Sequence, residues 1–282
     1  MILIDYNQMC IAAIMVTVNQ PQKIDEDITR HVTLNTLRAY KKKYGKEYGD
    51  IIICADNRNY WRRSVFPYYK AMRKANREKS NFDWHVIFSA LNKILIEIQT
   101  HFPYRVINID SAEADDIIGT LAPRYAVNEK VLIISSDKDF LQLQKYPNVK
   151  QFSPNLDRFI STDNPDRFLK THVLKGEAGD GIPNFLSADD VFVTKTRQKP
   201  LSKKKLDMLL EANLDNILNN LEMTRYKRNQ TLIDLSFIPV ELQNKIVDAS
   251  KIKPREYSYS ELTKYFMENN LKNLFDVITD FK

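Results

Sequence analysis

The sequence predicts an α/β domain, a central and mostly parallel sheet flanked by helices, followed by a helical C-terminal region. Three observations carry this. Short apolar runs without period-two alternation recur through the first half, as strands covered on both faces require. Helical periodicity fills the intervals between them. From about residue 160, strand-type runs nearly vanish and helical patterns dominate.

Taken in order, Ile2–Ile4 is the first buried run and leads directly into Asp5. Glu26–Lys43 reads as a helix. Ile51–Cys54 is the second strand and runs into Asp56. Trp84–Thr100 is helical, Tyr104–Ile109 is the third strand, and Ala112–Tyr125 is a helix with Glu113, Asp115 and Asp116 at its start. Val131–Ile134 is the fourth strand, followed by Asp137 and Asp139. Beyond residue 160 the expected helices are Pro165–Leu174, Ser202–Ala212, Leu214–Leu221, Pro239–Ala249, Ser258–Glu268 and a short Asn270–Phe281. No Gly/Ser-rich linker separates the halves, so they are expected to pack together.

The chain has 282 residues, 43% hydrophobic and 28% charged, enough for a substantial core. Its formal charge of +6 favours a polyanionic partner without proving one. Cys10 and Cys54 sit in apolar stretches and read as reduced core residues. Met1 leads straight into Ile2-Leu3-Ile4 with no signal-peptide pattern, and no apolar run reaches the roughly 18 residues of a membrane span. An intracellular protein without membrane attachment is expected.

Every strand of the first half ends near acids, and in a parallel sheet those ends share one edge. Seven carboxylates, Asp5, Asp56, Glu113, Asp115, Asp116, Asp137 and Asp139, would repel one another there. Bound divalent cations are the natural compensation, and an all-oxygen donor set selects Mg²⁺ or Mn²⁺. Two ions roughly 4 Å apart would clamp a phosphodiester, one activating a water and the other stabilising the leaving oxygen. The histidines His31, His85, His101 and His172 lie outside these motifs and read as ordinary residues. The competing reading, that some acids merely cap helices, stays open for Glu113 taken alone.

Between Arg58 and Lys79 lie eight basic residues and one acid, Glu78, interleaved with Tyr60, Trp61, Phe66, Tyr68 and Tyr69. Cations that follow a phosphate backbone and rings that stack on bases suit single-strand binding. Lys70 and Arg73, three residues apart, would share a helical face and bring charge to a scissile phosphate. A solvated basic helix over buried aromatics is the alternative. A second run, Lys195 to Lys205, carries six positive charges and no acid. Ser202 reads as a helix N-cap there, so Lys203, Lys204 and Lys205 would oppose the helix dipole unless a phosphate offsets them. A charged loop is the alternative.

Four motifs now carry a resemblance. Leu3-Ile4-Asp5-Tyr6-Asn7, Cys54-Ala55-Asp56-Asn57, Glu113-Ala114-Asp115-Asp116 and Ser135-Ser136-Asp137-Lys138-Asp139-Phe140 resemble, in order, the acidic motifs of the flap endonuclease and 5′-3′ exonuclease superfamily, its phage members in particular. The likeness spans nearly the whole chain. It implies a metal site of the seven acids, with Asp137 central to catalysis. Leu174-Lys175-Gly176-Glu177-Ala178-Gly179-Asp180 is similar to the family's later acidic motif, adding Asp180 and placing Glu177 where the family usually has Asp. Residues 58–79 match the arch through which a 5′ strand passes, Lys70 and Arg73 its catalytic basic pair, and Tyr69 a base-stacking residue. Arg58, Arg62, Arg63 and Lys74 in the arch, and Lys195, Arg197, Lys203, Lys204 and Lys205 beyond it, are the implied nucleic-acid contacts. Asp166 to Glu211 matches a helix–three-turn–helix, with an Ile182–Leu201 connection longer than the usual Gly-rich turn that binds potassium.

The resemblance implies residues 1–160 as a catalytic 5′-nuclease domain and 161–282 as a duplex-binding region. It implies a 5′-3′ exonuclease and flap endonuclease using two Mg²⁺ ions, with Mn²⁺ as substitute. Substrates would be 5′-flap or nicked DNA and RNA–DNA hybrids, and the role removal of RNA primers in phage replication. A monomer in the cytoplasm of the infected bacterial host, working beside a single-stranded-DNA-binding protein, is expected. Three rivals are weighed against this. A PIN-type RNA nuclease lacks a reason for the basic helical half. A non-catalytic binder of branched DNA lacks a reason for the acids. A phosphatase with Asp5 as nucleophile would need a second Asp where Asn7 stands.

Overall fold

The computed structural model describes residues 1–17 and 24–282. Among the described residues six strands form one sheet: β1 (Ile2–Asp5), β2 (Ile51–Cys54), β3 (Arg105–Ile107), β4 (Val131–Ile134), β5 (Val149–Ser153) and β6 (Arg158–Ile160), in the order β3-β2-β1-β4-β5-β6. All neighbours are parallel except β5 and β6, which pair antiparallel. Every residue of β1, β2 and β4 is buried, which explains the missing alternation in their sequences. The period of two survives in which face each residue supplies. Ile2, Ile4, Ile51, Ile53, Leu132 and Ile134 enter one core, while Leu3, Ile52, Cys54, Val131 and Ile133 enter the other.

The first core is covered by α1 (Tyr6–Thr17), α2 (Glu26–Tyr48) and α5 (Trp84–His101). The second is covered by α6 (Ala114–Tyr125) and α10 (Val240–Lys251). The last third of the chain closes both faces. Leu262, Tyr265 and Phe266 of α11 (Tyr259–Glu268) and the terminal 3₁₀ segment Lys272–Phe281 pack into the first core, and Leu235, Ile238, Leu242 and Ile246 into the second. A third cluster joins α7 (Pro165–Lys175), α8 (Lys203–Glu211) and the start of α9 (Asn220–Ile233) through Leu174, Phe185, Leu206, Leu209 and Leu214. Two short helices, α3 (Arg62–Val65) and α4 (Arg73–Glu78), punctuate the basic segment.

Local chemistry sets the helix starts. Asp25, Asp83, Asn164 and Ser202 each accept a backbone N–H at the head of α2, α5, α7 and α8. Gly49, at φ 84°, closes α2 in the left-handed region, and its N–H bonds Gly45.

Several elements differ from the sequence reading. β3 is three residues long, shorter than the expected Tyr104–Ile109. α1 was not expected, because it follows β1 without a break and is apolar almost all round, so no face stands out. β5 and β6 were hidden by Lys150, Gln151 and Arg158, which interrupt the apolar run. The helix expected at Leu214–Leu221 is a 3₁₀ turn at Leu214–Asn216, and α9 begins later, behind a reciprocal Asn219–Glu222 capping box. The expected Asn270–Phe281 helix is a 3₁₀ segment with a kink at Val277. Cys10 and Cys54 are buried and unpaired by any disulfide. No helix among the described residues is long and apolar enough to cross a membrane.

Candidate active site

The parallel register puts Asp5 beside Cys54 and Cys54 beside Ile107, so the strand ends open onto one edge. A cleft of about 600 Å³ lies there, lined by Asp5, Asp56, Asp115 and Asp137 on the acidic side and by Lys70, Arg73 and Arg77 on the basic side. The four acids come from β1, the turn after β2, the first turn of α6 and the turn after β4.

These carboxylates are held by neutral donors. Asp5 accepts the Ser135 hydroxyl at 2.9 Å and the Gln8 N–H at 3.2 Å. Asp56 accepts the Asn7 amide at 3.0 Å and the Ala114 N–H at 2.8 Å, fixing the head of α6. Asp137 caps its own turn by accepting the Asp139 N–H at 2.9 Å, while its N–H donates to Ser135 Oγ. Burial, and then the Asp56 charge, push the Asp5 carboxyl up to about 7. Burial, and then the Asp137 charge, push Asp139 up to about 8 and raise Asp115 well above the ordinary carboxylate range. Burial also raises Asp137. Burial and mutual repulsion disfavour the charged forms of these crowded carboxylates.

Glu113 and Asp116 are handled differently. Glu113 is 1% exposed; it accepts Arg62 Nη1 and Tyr69 Oη, each at 2.9 Å, and pairs with Lys70 Nζ. Asp116, fully buried, pairs with Arg62 at 2.8 Å, accepts Trp61 Nε1 at 3.1 Å and closes the capping box on the Glu113 N–H. The capping alternative raised for Glu113 therefore holds for its backbone, while its charge is met by Lys70 and Arg62. Asp180 pairs with Arg73 at 2.6 Å and Lys70 at 3.6 Å. Burial would raise its carboxyl, but those two cations outweigh it and the net shift is downward.

The base of the basic segment is locked. Lys70 sits at φ 56°, and its N–H donates to the Asp180 carbonyl at 2.8 Å. Gly181, at φ 75°, approaches so closely that a Cβ would meet the Tyr68 carbonyl at 2.9 Å. Phe66 and Tyr69 pack with Val173, Ile182, Leu232 and Ile233 beneath.

This placement corrects two sequence expectations. Arg62 is turned inward and not toward a nucleic-acid surface: it is 2% exposed, with its guanidinium engaged by Glu113, Asp116 and the Leu232 carbonyl. Tyr69 is likewise buried and not presented for stacking: it is 2% exposed and its hydroxyl donates to Glu113. Lys70 lines the cleft and is paired with Glu113. Arg58, Arg63 and Lys74 are exposed, as are Lys195, Arg197, Lys203 and Lys204. Lys205 is half-buried over the Phe185 ring, 5.6 Å from its centroid, and 3.8 Å from Glu222.

The sequence reading also missed a residue. His172, set aside as ordinary, bridges two acids, with Nδ1 3.2 Å from Asp139 and Nε2 3.0 Å from Glu177. Burial would lower its pKa, but the Glu177 bond and the Asp139 charge outweigh it and raise it. Nothing local marks His172, since Asp139 lies in a different element and only the fold brings them together. Gln151 was likewise missed; its amide donates to the Ser135 and Asp137 carbonyls and holds that turn.

For a divalent ion, the donor chemistry fits. Asp5, Asp56, Asp115 and Asp137 offer oxygen only and line one cleft, and no cation partners them in an ion pair within 4.0 Å among the described residues. They are gathered but not closed, because no three acidic, His or Cys side chains among the described residues yet converge as a metal shell.

Residues 1–172 match the model of the 5′-3′ exonuclease N-terminal resolvase-like domain, and residues 164–281 match the T4 RNase H C-terminal model. The chain is 34% identical to ribonuclease H of Enterobacteria phage T4, over 99% of this chain and 95% of that protein. It is 26% identical to a 5′-3′ exonuclease of Buchnera aphidicola, over 74% of this chain and 77% of that one. Among solved structures, the T5 D15 protein co-crystallised with metal ions superposes with a TM-score of 0.63 at 16% identity, covering 89% of this chain and 98% of that one.

Proposed function

The chain belongs to the 5′-3′ exonuclease family, and from that premise we propose that it hydrolyses phosphodiesters at 5′ ends of duplex nucleic acid with divalent metal, acting as exonuclease and flap endonuclease. The observation that carries this is the sorting of the acids. Glu113, Asp116 and Asp180 have fixed cations, whereas Asp5, Asp56, Asp115 and Asp137 face one cleft without them.

On this reading Asp5, Asp56, Asp115 and Asp137 hold one Mg²⁺, for which Mn²⁺ substitutes. Asp139, Glu177 and Asp180 would serve a second ion nearby. When bound, the metal supplies charge neutralisation and an activated water. The protein's own groups do the rest. Arg73 and Arg77 border the cleft and would draw in the scissile phosphate, and Lys70, which lines the cleft while paired with the buried Glu113, would add positive field. Lys203 and Lys204, in the first turn of α8 and exposed, would grip duplex phosphates, with α7 and α8 as the two helices of the proposed helix–three-turn–helix. Residues 1–160 then form the catalytic part and 161–282 the duplex-binding part.

Substrates are 5′-flap or nicked DNA and RNA–DNA hybrids, with primer removal in phage replication as the role. The enzyme acts as a monomer in the host cytoplasm on strands shared with a single-stranded-DNA-binding protein. A DNA substrate is in keeping with the T5 D15 flap endonuclease, a protein of similar fold that forms a complex with DNA and metal ions.

Cleavage of a 5′-flap DNA in Mg²⁺ is expected to be on the order of 10²-fold faster than cleavage of a single-stranded RNA of the same sequence, because duplex docking positions the phosphate. Faster cutting of the unstructured RNA would replace this reading with a PIN-type RNA nuclease.

A further inference from the structure

Of the aromatic residues that follow the basic segment, Phe88 borders the acidic cleft, while Phe82 and Trp84 lie outside it. Trp84 opens α5, stacks on Phe88 at 5.8 Å and lies 5.9 Å from Phe82. Arg77 lies over both rings, 4.6 Å from the Phe88 centroid and 5.8 Å from that of Trp84. Trp84 Nε1 donates to Ser80 Oγ at 2.6 Å, and Asp83 caps the helix beneath it, so the indole is fixed.

Three clefts meet at this ring. One of about 310 Å³ is lined by Arg73, Arg77 and Trp84, one of about 650 Å³ by Lys74, Arg77, Phe82, Trp84 and His85, and one of about 440 Å³ by Arg58, Trp84, His85 and Phe88. They adjoin the acidic cleft, which shares Arg73, Arg77 and Phe88 with them as lining residues. Cations outnumber acids along the route, where Arg58, Arg73, Lys74 and Arg77 face Glu78 and an Asp83 already engaged as a cap. A packing role alone would bury the indole, yet Trp84 is only partly buried and forms a wall of all three clefts.

We propose that Trp84 and Phe88, with Arg77 laid across them, form a stacking platform for the single-stranded 5′ tail as it leaves the active cleft. Every base offers a π-face, so such a platform takes DNA and RNA tails without reading sequence, and the flanking cations follow the backbone. The inference rests on the nuclease reading for the identity of the tail, but not for the binding itself.

The chain has two tryptophans, Trp61 and Trp84, and Trp61 is anchored to Asp116. In EDTA, titration with oligothymidylate or oligouridylate is expected to quench the emission of the wild-type protein saturably and to leave that of Trp84→Phe unchanged. With Mg²⁺, Trp84→Ala is expected to lower kcat/KM about tenfold on a flap with a 5′ tail of about ten nucleotides, the loss of roughly one stacked base. Cleavage of a nicked duplex without a tail should stay at the wild-type rate. No quenching in the wild type, or equal loss on tailed and untailed substrates, would overturn the platform. Quenching in a protein that cuts no flap would keep the platform and reject the nuclease reading. Quenching by one polymer alone would overturn the sequence-blind stacking and assign the groove to that nucleic acid.

Discussion

Asp137→Asn is expected to lower turnover on a flap substrate by about 10³-fold or more while leaving duplex affinity within about twofold, since a lost metal ligand removes several kcal/mol of transition-state stabilisation. Asp137 lines the cleft, and its charge raises both Asp115 and Asp139, so it stands at the electrostatic centre of the cluster. Asparagine keeps the size and can still accept the Asp139 N–H that shapes the turn. What it removes is one negative charge from the ion-holding set. The exposed lysines expected to grip the duplex, Lys203 and Lys204, are on another element. Single-turnover cleavage in Mg²⁺ and anisotropy binding in EDTA separate the two quantities. Wild-type turnover in the variant would remove Asp137 from the metal assignment.

Lys70→Ala is expected to cost about 3 kcal/mol of stability, because it removes one of the two cations that meet the buried Glu113 carboxylate and leaves only Arg62, already shared with Asp116. The Lys70 side chain is 6% exposed and pairs with Glu113, itself 1% exposed. At about 2–4 °C per kcal/mol for a chain of this size, the melting temperature should fall by roughly 10 °C. Assayed well below that temperature, turnover should fall about 10²-fold and by more than binding, as expected for a charge that favours the transition state. Equal losses in both would make Lys70 a docking contact, and an unchanged melting temperature would show that Glu113 does not depend on it.

The sheet and its acidic edge were legible because each depends on short-range pattern. A four-residue run of Ile and Leu buried on both faces has few other uses, and the turn that follows must lie at the sheet edge. Asp5, Asp56, Asp115 and Asp137 therefore declared themselves. What a run of charge cannot say is which cations turn inward. Arg62 and Lys70 are recruited by Glu113 across 51 and 43 residues of sequence, so their burial is a property of tertiary packing. Tyr69 follows the same partner inward. His172 was invisible for the same reason, as its two acids come from separate motifs. β5 and β6 were lost because Gln151, buried for its hydrogen bonds rather than its hydrophobicity, looks like a surface residue in sequence.

The central claim is that the uncompensated carboxylates of the cleft await a divalent cation. Asp5 and Asp139 have folded-state pKa values raised to about 7 and about 8, so their contribution to stability is present below the unfolded value and is lost as pH rises through the folded one. His172, also raised, acts in the same direction, while Glu177 and Asp180, both lowered, lose their contribution only in acid. Thermal unfolding of the whole protein in EDTA and in Mg²⁺, followed from about pH 5 to pH 9, reads this directly. The metal-free protein should melt at progressively lower temperature as pH rises, and the stabilisation by Mg²⁺ should grow over the same interval and shrink in Asp137→Asn. A melting temperature indifferent to Mg²⁺ at every pH would contradict the account.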